Sequence, residues 1–190
     1  MKLGFIGCDR TAAILARGLD EQVLFAGTDG ARAAALAAAL GGRVLSSYEA
    51  VAERADVVVL CHGPSEMARI AAAVAPHARI LVSAVAGTSL GVVRDAYPDS
   101  AVYRIAVNSA AQIRRGVTVM AEGPAHAEDH FVRALLARIG AVITVDDTLV
   151  DTAVAVLSGV EADCSRVVHA HIRAGTGRAA LDQLERFLAS

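Results

Sequence analysis

The chain of 190 residues holds a single lysine, Lys2, beside 17 arginines. No lysine therefore stands in the body of the chain to serve a phosphate loop or to form a Schiff base. Tryptophan is absent and the seven other aromatics are scattered, which removes the stacking platforms of single-strand nucleic-acid binders. The cysteines Cys8, Cys61 and Cys164 are odd in number and far apart. They form no C-x-x-C pair and no disulfide framework, as expected in a reducing cytoplasm. No metal-ligand spacing is found, since His169 and His171 lie two apart on a helical stretch and face different ways. No apolar run reaches the ~20 residues of a membrane span. The first residues lack the basic stretch and apolar core of a secretory signal. With a formal charge of −2 and both signs interspersed, the expectation is a soluble cytoplasmic protein with neither nucleic acid nor membrane as partner.

What the chain does have is alanine, 41 residues of it, and a hydrophobic fraction of 55%, enough to bury a sizeable core. Short apolar runs alternate with longer alanine-rich stretches. Strands are predicted at Leu3–Ile6, Val23–Ala26, Val44–Leu45, Val57–Cys61, Ile80–Ala84, Val102–Ile105, Val117–Ala121 and Val142–Val145. Helices are predicted at Arg10–Leu19, Ala31–Leu40, Tyr48–Arg54, Met67–Val74, Leu90–Ala96 and Ala127–Ile139. Such alternation implies right-handed crossovers and a doubly wound, mostly parallel α/β sheet over residues 1–147. From Thr148 onward the pattern is helical, with breaks expected near Gly159 and at Gly175–Gly177. Residues 148–190 thus read as a helical dimerisation tail. Val160, Cys164, Val167, Val168 and Ile172 recur at helical spacing, as do Leu181, Leu184, Phe187 and Leu188.

The first strand ends in Gly7-Cys8-Asp9-Arg10-Thr11-Ala12, where a dinucleotide fingerprint would read G-x-G-x-x-G/A. In that motif the first glycine makes the turn, the second admits a pyrophosphate, and the third small residue packs helix on sheet. Gly7 and Ala12 fit. Asp9 instead brings a carboxylate toward the phosphates, a repulsion of about 3 kcal/mol at ~5 Å and an effective dielectric of ~20, or roughly a hundredfold in affinity. Asp9 equally suits the N-cap of the first helix. Asp29, after the second strand, suits a ribose hydroxyl or a turn before Gly30.

Beyond the turn, the sequence resembles the pyrroline-5-carboxylate reductase family along nearly its whole length. The resemblance is carried by Lys2-Leu3-Gly4-Phe5-Ile6-Gly7, by Ala55-Asp56-Val57-Val58-Val59-Leu60 leading to Pro64, and by Val82-Ser83-Ala84-Val85-Ala86-Gly87-Thr88-Ser89-Leu90. It continues through Arg104-Ile105-Ala106-Val107-Asn108-Ser109-Ala110, Gly116-Val117-Thr118 and Leu157-Ser158-Gly159. It implies a Rossmann domain carrying NAD or NADP, a dimerising helical domain, and a cyclic imine that accepts a hydride. Cofactor contacts are then expected from Gly7, Cys8, Asp9, Arg10, Thr11, Asp29, His62, Gly63, Pro64, Ser83, Ala86, Gly87 and Asn108. Substrate contacts are expected from Ser158, Gly159, Glu161 and Asp163, while no residue stands out as the proton donor.

The departures are specific. Asp9 replaces a cofactor glycine, His62-Gly63 replaces valine-lysine, and Val107 and Ala110 replace two prolines. Val160-Glu161-Ala162-Asp163 replaces the serine-glycine-proline-alanine turn that holds the substrate carboxylate. Weak dinucleotide binding and a preference for a neutral or cationic imine follow. A catalytically inactive relative, acting as a scaffold, regulatory or partner subunit, is the alternative. Asn108 and Ser83 suit either ligand contacts or loop-closing hydrogen bonds. His62 suits a donor to a phosphate or substrate oxygen, or a backbone-satisfied ring. Cys8 and Cys61 also read as buried packing groups, and Arg114-Arg115 as a solvated turn.

Overall fold

A computed structural model describes residues 1–162 and, within its last helix, side chains only as far as Leu157. The strands are β1 (Lys2–Ile6), β2 (Gln22–Ala26), β3 (Arg43–Val44), β4 (Val57–Leu60), β5 (Ile80–Ser83), β6 (Ala101–Val107), β7 (Gly116–Ala121) and β8 (Gly140–Val145). They form one sheet in the order β3-β2-β1-β4-β5-β6-β7-β8. Every neighbouring pair is parallel except β6 and β7, which are antiparallel. The reversal has a chain-length cause: only residues 108–115 join β6 to β7, too few for a parallel crossover.

The helices are α1 (Arg10–Leu19), α2 (Gly30–Leu40), α3 (Tyr48–Ala52), α4 (Met67–Val74), α5 (Leu90–Ala96), α6 (Asp129–Ala137) and α7 (Val150–Ala162). Side-chain caps set several starts. Asp9, Asp29, Ser47 and Ser89 each accept from the amide three residues on, replacing a partner the helix itself cannot supply. Leu15, Leu19, Ala33, Ala37, Val132 and Leu136 of α1, α2 and α6 cover one sheet face. The other face receives Val51, Ile70, Val74, Leu90, Val93, Val150, Ala153 and Val156 of α3, α4, α5 and α7. β4, Val57-Val58-Val59-Leu60, is buried throughout because both faces are covered.

Two expectations need correction. The helix of the tail is not interrupted near Gly159: α7 runs unbroken from Val150 to Ala162 after a 3-10 turn at Asp147–Leu149. One glycine inside a helix costs only about 1 kcal/mol, too little by itself to end the helix. Arg114 is not a free solvated turn residue either. Its Nε donates to the Gly18 carbonyl at 3.0 Å and Nη2 to Asp20 at 2.9 Å, tying the β6–β7 connection to the end of α1. The stripe from Cys164 to Ile172, His169, His171, the expected break at Gly175–Gly177 and the last apolar stripe lie outside the described residues. No helix among the described residues is long and apolar enough to cross a membrane.

Candidate functional site

The strand order reverses between β1 and β4, and in doubly wound sheets the crevice beyond the strand ends at such a point is where ligands sit. A cleft of about 160 Å³ opens there. Its walls come from the three strand ends: Gly7, Cys8 and Asp9 after β1, Gly27, Thr28 and Asp29 after β2, and Cys61, His62 and Gly63 after β4. Arg32, Tyr48 and Glu66 complete the lining.

Gly7 makes the approach of β1 and β4 possible. Its φ is +98°, and a Cβ there would stand 2.1 Å from the Cys61 carbonyl oxygen. The chain turns at Gly7 and enters α1 through Asp9, whose Oδ1 accepts from the Ala12 amide at 2.9 Å. Asp9 is thus an N-cap, and its charge sits at the helix end that would otherwise face an anion. Ala12 is fully buried against the sheet, as the third position of the fingerprint requires. Asp29 repeats the arrangement at α2, accepting from Arg32 N at 3.0 Å. Burial pushes the Cys8 and Cys61 thiols up from their ordinary range, with Asp9 adding to both shifts. Both stay protonated near neutrality and offer no thiolate nucleophile.

Among the expected cofactor residues, the cleft brings together Gly7, Cys8, Asp9, Asp29, His62 and Gly63. Arg10 and Thr11 begin α1 just beyond it, and Pro64 opens the 3-10 turn Pro64–Glu66. Ser83 is the last residue of β5, fully buried, with no hydrogen-bond partner for its hydroxyl among the described residues. Ala86 and Gly87 lie in the exposed loop before α5, Gly87 at φ +69°. Asn108 precedes the 3-10 segment Ser109–Ile113, and its Oδ1 accepts from Val117 N at 2.9 Å, bracing the β6–β7 connection. Ser158, Gly159 and Glu161 fall on the last turns of α7; Asp163 lies outside the described residues.

Sequence reasoning missed Gly27, Thr28, Arg32, Tyr48, Cys61 and Glu66 in the cleft, and the role of Arg104. The available signal for Arg32 was a basic residue shortly after the acid that ends the second strand. Arg104, 4% exposed, donates from Nη1 to Asp147 Oδ1 and from Nη2 to Asp151 Oδ2, at 2.7 and 2.6 Å. The other oxygen of Asp147 accepts from Leu90 N at 2.8 Å. One buried cation therefore fastens β6, the start of α5 and the start of α7 together.

These features define a Rossmann-type α/β protein with a glycine turn at its switch-point cleft. Residues 2–87, the stretch that builds the cleft, match the family model described as NADP oxidoreductase, coenzyme F420-dependent. A pyrroline-5-carboxylate reductase of Synechocystis is 28% identical over 162 residues, spanning 80% of this chain and 61% of the relative. The chain thus covers less than two thirds of the length of that curated relative. The pyrroline carboxylate reductase of Plasmodium falciparum, solved with NADP bound, superposes with a TM-score of 0.71 at 17% identity, covering 100% of this chain and 76% of the other. The enzyme of Streptococcus pyogenes gives 0.72 at 23% identity, with the same coverage. The chain is thus similar to pyrroline-5-carboxylate reductases in fold and, more weakly, in sequence, and it carries Asp9 where a dinucleotide fingerprint has its second glycine. The residues present fit a dinucleotide in outline, because the Gly7 turn and the cleft beside it are built; Asp9 is the element that opposes it.

Proposed function

We propose that the protein is an NAD(P)H-dependent reductase of a cyclic imine, acting in the cytoplasm as a homodimer joined through the helical tail of residues 148–190, whose first turns, with Val150, Ala153 and Val156, pack on the sheet of the same chain. The observation that carries this reading is the Gly7 turn, which sets a cleft at the switch point with α1 starting beside it. The cofactor would supply the hydride, and the protein the orientation and a pocket poor in water. Gly7, Cys8 and Asp9 would lie along the pyrophosphate, with the first amides of α1 at Arg10 and Thr11. Asp29 and Arg32 would meet the ribose, and His62 and Gly63 the opposite side. By the family resemblance, Pro64, Ser83, Ala86, Gly87 and Asn108 would border the nicotinamide half. Ser158, Gly159, Glu161 and Asp163 would border the substrate.

Two acids near the substrate disfavour a carboxylate and favour a neutral or cationic imine. Pyrroline-5-carboxylate is therefore expected to turn over far more slowly than a few per second. The deciding experiment is titration with NADH and with NADPH while nicotinamide fluorescence is followed. Saturation is expected at roughly a hundredfold higher concentration than an unopposed pyrophosphate site needs. Absence of binding by either dinucleotide would overturn the reading and leave a non-catalytic relative. Sedimentation of the full chain tests the dimer, and a monomer at tens of micromolar, roughly the strength of a weak specific pair, counts against it.

A further inference from the structure

His62 stands where the resembled family has valine, so the family pattern places the residue at the cofactor but gives its ring no role. The residue lines the cleft with Asp9, Asp29 and Glu66, and it is only 8% exposed. Nδ1 lies 2.8 Å from the Gly63 carbonyl oxygen. A carbonyl only accepts, so Nδ1 carries the proton and donates, and in the neutral tautomer the lone pair is on Nε2. Nε2 is buried and has no hydrogen-bond partner among the described residues. A buried polar atom without a partner is costly and uncommon, and when its residue lines a cleft a ligand group is the natural partner.

The tautomer decides what that group is. A phosphate oxygen at pH 7 is an acceptor and cannot pair with a lone pair, so His62 in this state does not donate to the cofactor's phosphates or to a substrate oxygen. Asp9 and Asp29 each commit one carboxylate oxygen to a helix cap, and the acids that face the cleft are likewise acceptors. The polar wall is therefore rich in acceptors, with Arg32 as its cation. Resting on the dinucleotide reading above, we infer that His62 Nε2 accepts a hydrogen bond from a nucleoside hydroxyl or amino donor of the bound cofactor. His62 is thus a binding residue that reads the sugar or base and not the phosphate. Its contribution offsets part of the repulsion introduced by Asp9.

The test combines imidazole nitrogen NMR of the full chain with NADH titration of the wild type, His62→Phe and His62→Gln. In the free protein at mildly alkaline pH, Nε2 should resonate as an unprotonated nitrogen. Saturating NADH should move it in the direction of hydrogen-bond acceptance without protonating it. Adenosine and nicotinamide riboside, added separately, identify which half supplies the donor. His62→Phe should bind NADH about tenfold more weakly, the loss of one hydrogen bond in a dry site, and His62→Gln less so because its carbonyl can accept. If NADH binds while the Nε2 signal stays put, or if Nε2 carries the proton in the free protein, this inference is wrong and the dinucleotide reading survives. If neither dinucleotide binds, both fall. The wild-type spectra decide the matter even where His62→Phe does not fold.

Discussion

The cleft at the ends of β1, β2 and β4 and the junction of β6 with α5 and α7 use polar residues in opposite ways. At the junction they close on one another. Arg104 takes Asp147 and Asp151, Asp147 also takes the α5 amide of Leu90, and Asn108 takes Val117 N. In the cleft, Asp9 and Asp29 give one oxygen each to a helix cap, and His62 keeps an unpartnered ring nitrogen. Polar groups satisfied internally hold a fold together, whereas groups left with spare capacity in a concave wall suit a ligand. Substitutions at the junction should therefore move stability, and substitutions in the cleft should move affinity.

The largest effect is expected from Arg104→Met, which leaves Asp147 and Asp151 facing a buried apolar side chain. Breaking a buried pair from one side costs about 3–5 kcal/mol. Because Asp147 and Asp151 are 24% and 51% exposed, water can partly reclaim them, and about 3 kcal/mol is the expected loss. Urea denaturation measures it, and an unchanged midpoint would remove the junction from the list of structural anchors. Replacing Asp151 with asparagine in the same chain should recover part of the loss, because the orphaned charge goes with it.

Alkaline pH offers a second probe, now of buried acids that never pair with a base. Burial raises the thiols of Cys8 and Cys61 above their ordinary 9.0 and the phenols of Tyr97 and Tyr103 above their ordinary 10.0, with Asp129 adding to the shift at Tyr103. Between its unfolded and folded values each group holds its proton in the native state and loses it in the unfolded one. Unfolding then releases protons, so stability falls as pH rises. The decline should begin near pH 9 and steepen beyond pH 10. Each fully engaged group adds up to about 1.4 kcal/mol per pH unit. A stability profile flat from pH 8 to about pH 11 would contradict this linkage.

In the cleft the matching probe is Asp9→Asn. Asparagine caps a helix as well as aspartate does, so the Ala12 amide keeps its acceptor and stability should change little. The charge disappears, and NADH affinity should rise by more than about tenfold, a gain that shrinks as salt screens the carboxylate in the wild type. Equal affinity in the two proteins would mean that Asp9 lies too far from the phosphates to matter. A rise in affinity with stability unchanged is the outcome that most sharply separates cleft from junction.

How far these two regions were legible from sequence differs for the same reason. The cleft is built from short-range features: a strand, Gly7, an Asp cap, a helix. The start of α1 and the whole of α4 and α5 accordingly fall at their expected residues. The second role of Asp9, as a cap, was legible from its place before Arg10, and the structure realises it. The junction joins Arg104 to partners 43 and 47 residues away, and no local pattern encodes such a pairing. The orientation of β7 was legible in principle from the short connection before it, but apolar periodicity alone does not distinguish parallel from antiparallel strands. The tautomer of His62 depends on a carbonyl in the adjacent residue, and a sequence does not say how a ring is turned.

The smallest effect is expected between the two regions, at Arg114, and it tests how much a surface ion pair contributes. Arg114 holds φ +62°, a left-handed conformation that glycine adopts freely and arginine does not. It remains arginine while its guanidinium reaches the Gly18 carbonyl and Asp20, although the Asp20 pair is largely exposed, 53% and 78% for the two side chains. Exposed pairs contribute about 0–1 kcal/mol. Arg114→Ala loses both contacts and keeps the strained φ, so it should cost about 1 kcal/mol. Arg114→Gly loses the same contacts but relieves the strain, worth about 1 kcal/mol at such a position. The glycine variant should therefore match the wild type within about 0.5 kcal/mol and exceed the alanine variant. If glycine and alanine prove equally destabilising in urea, the arginine contacts outweigh backbone strain there and the connection before β7 depends on its side chain.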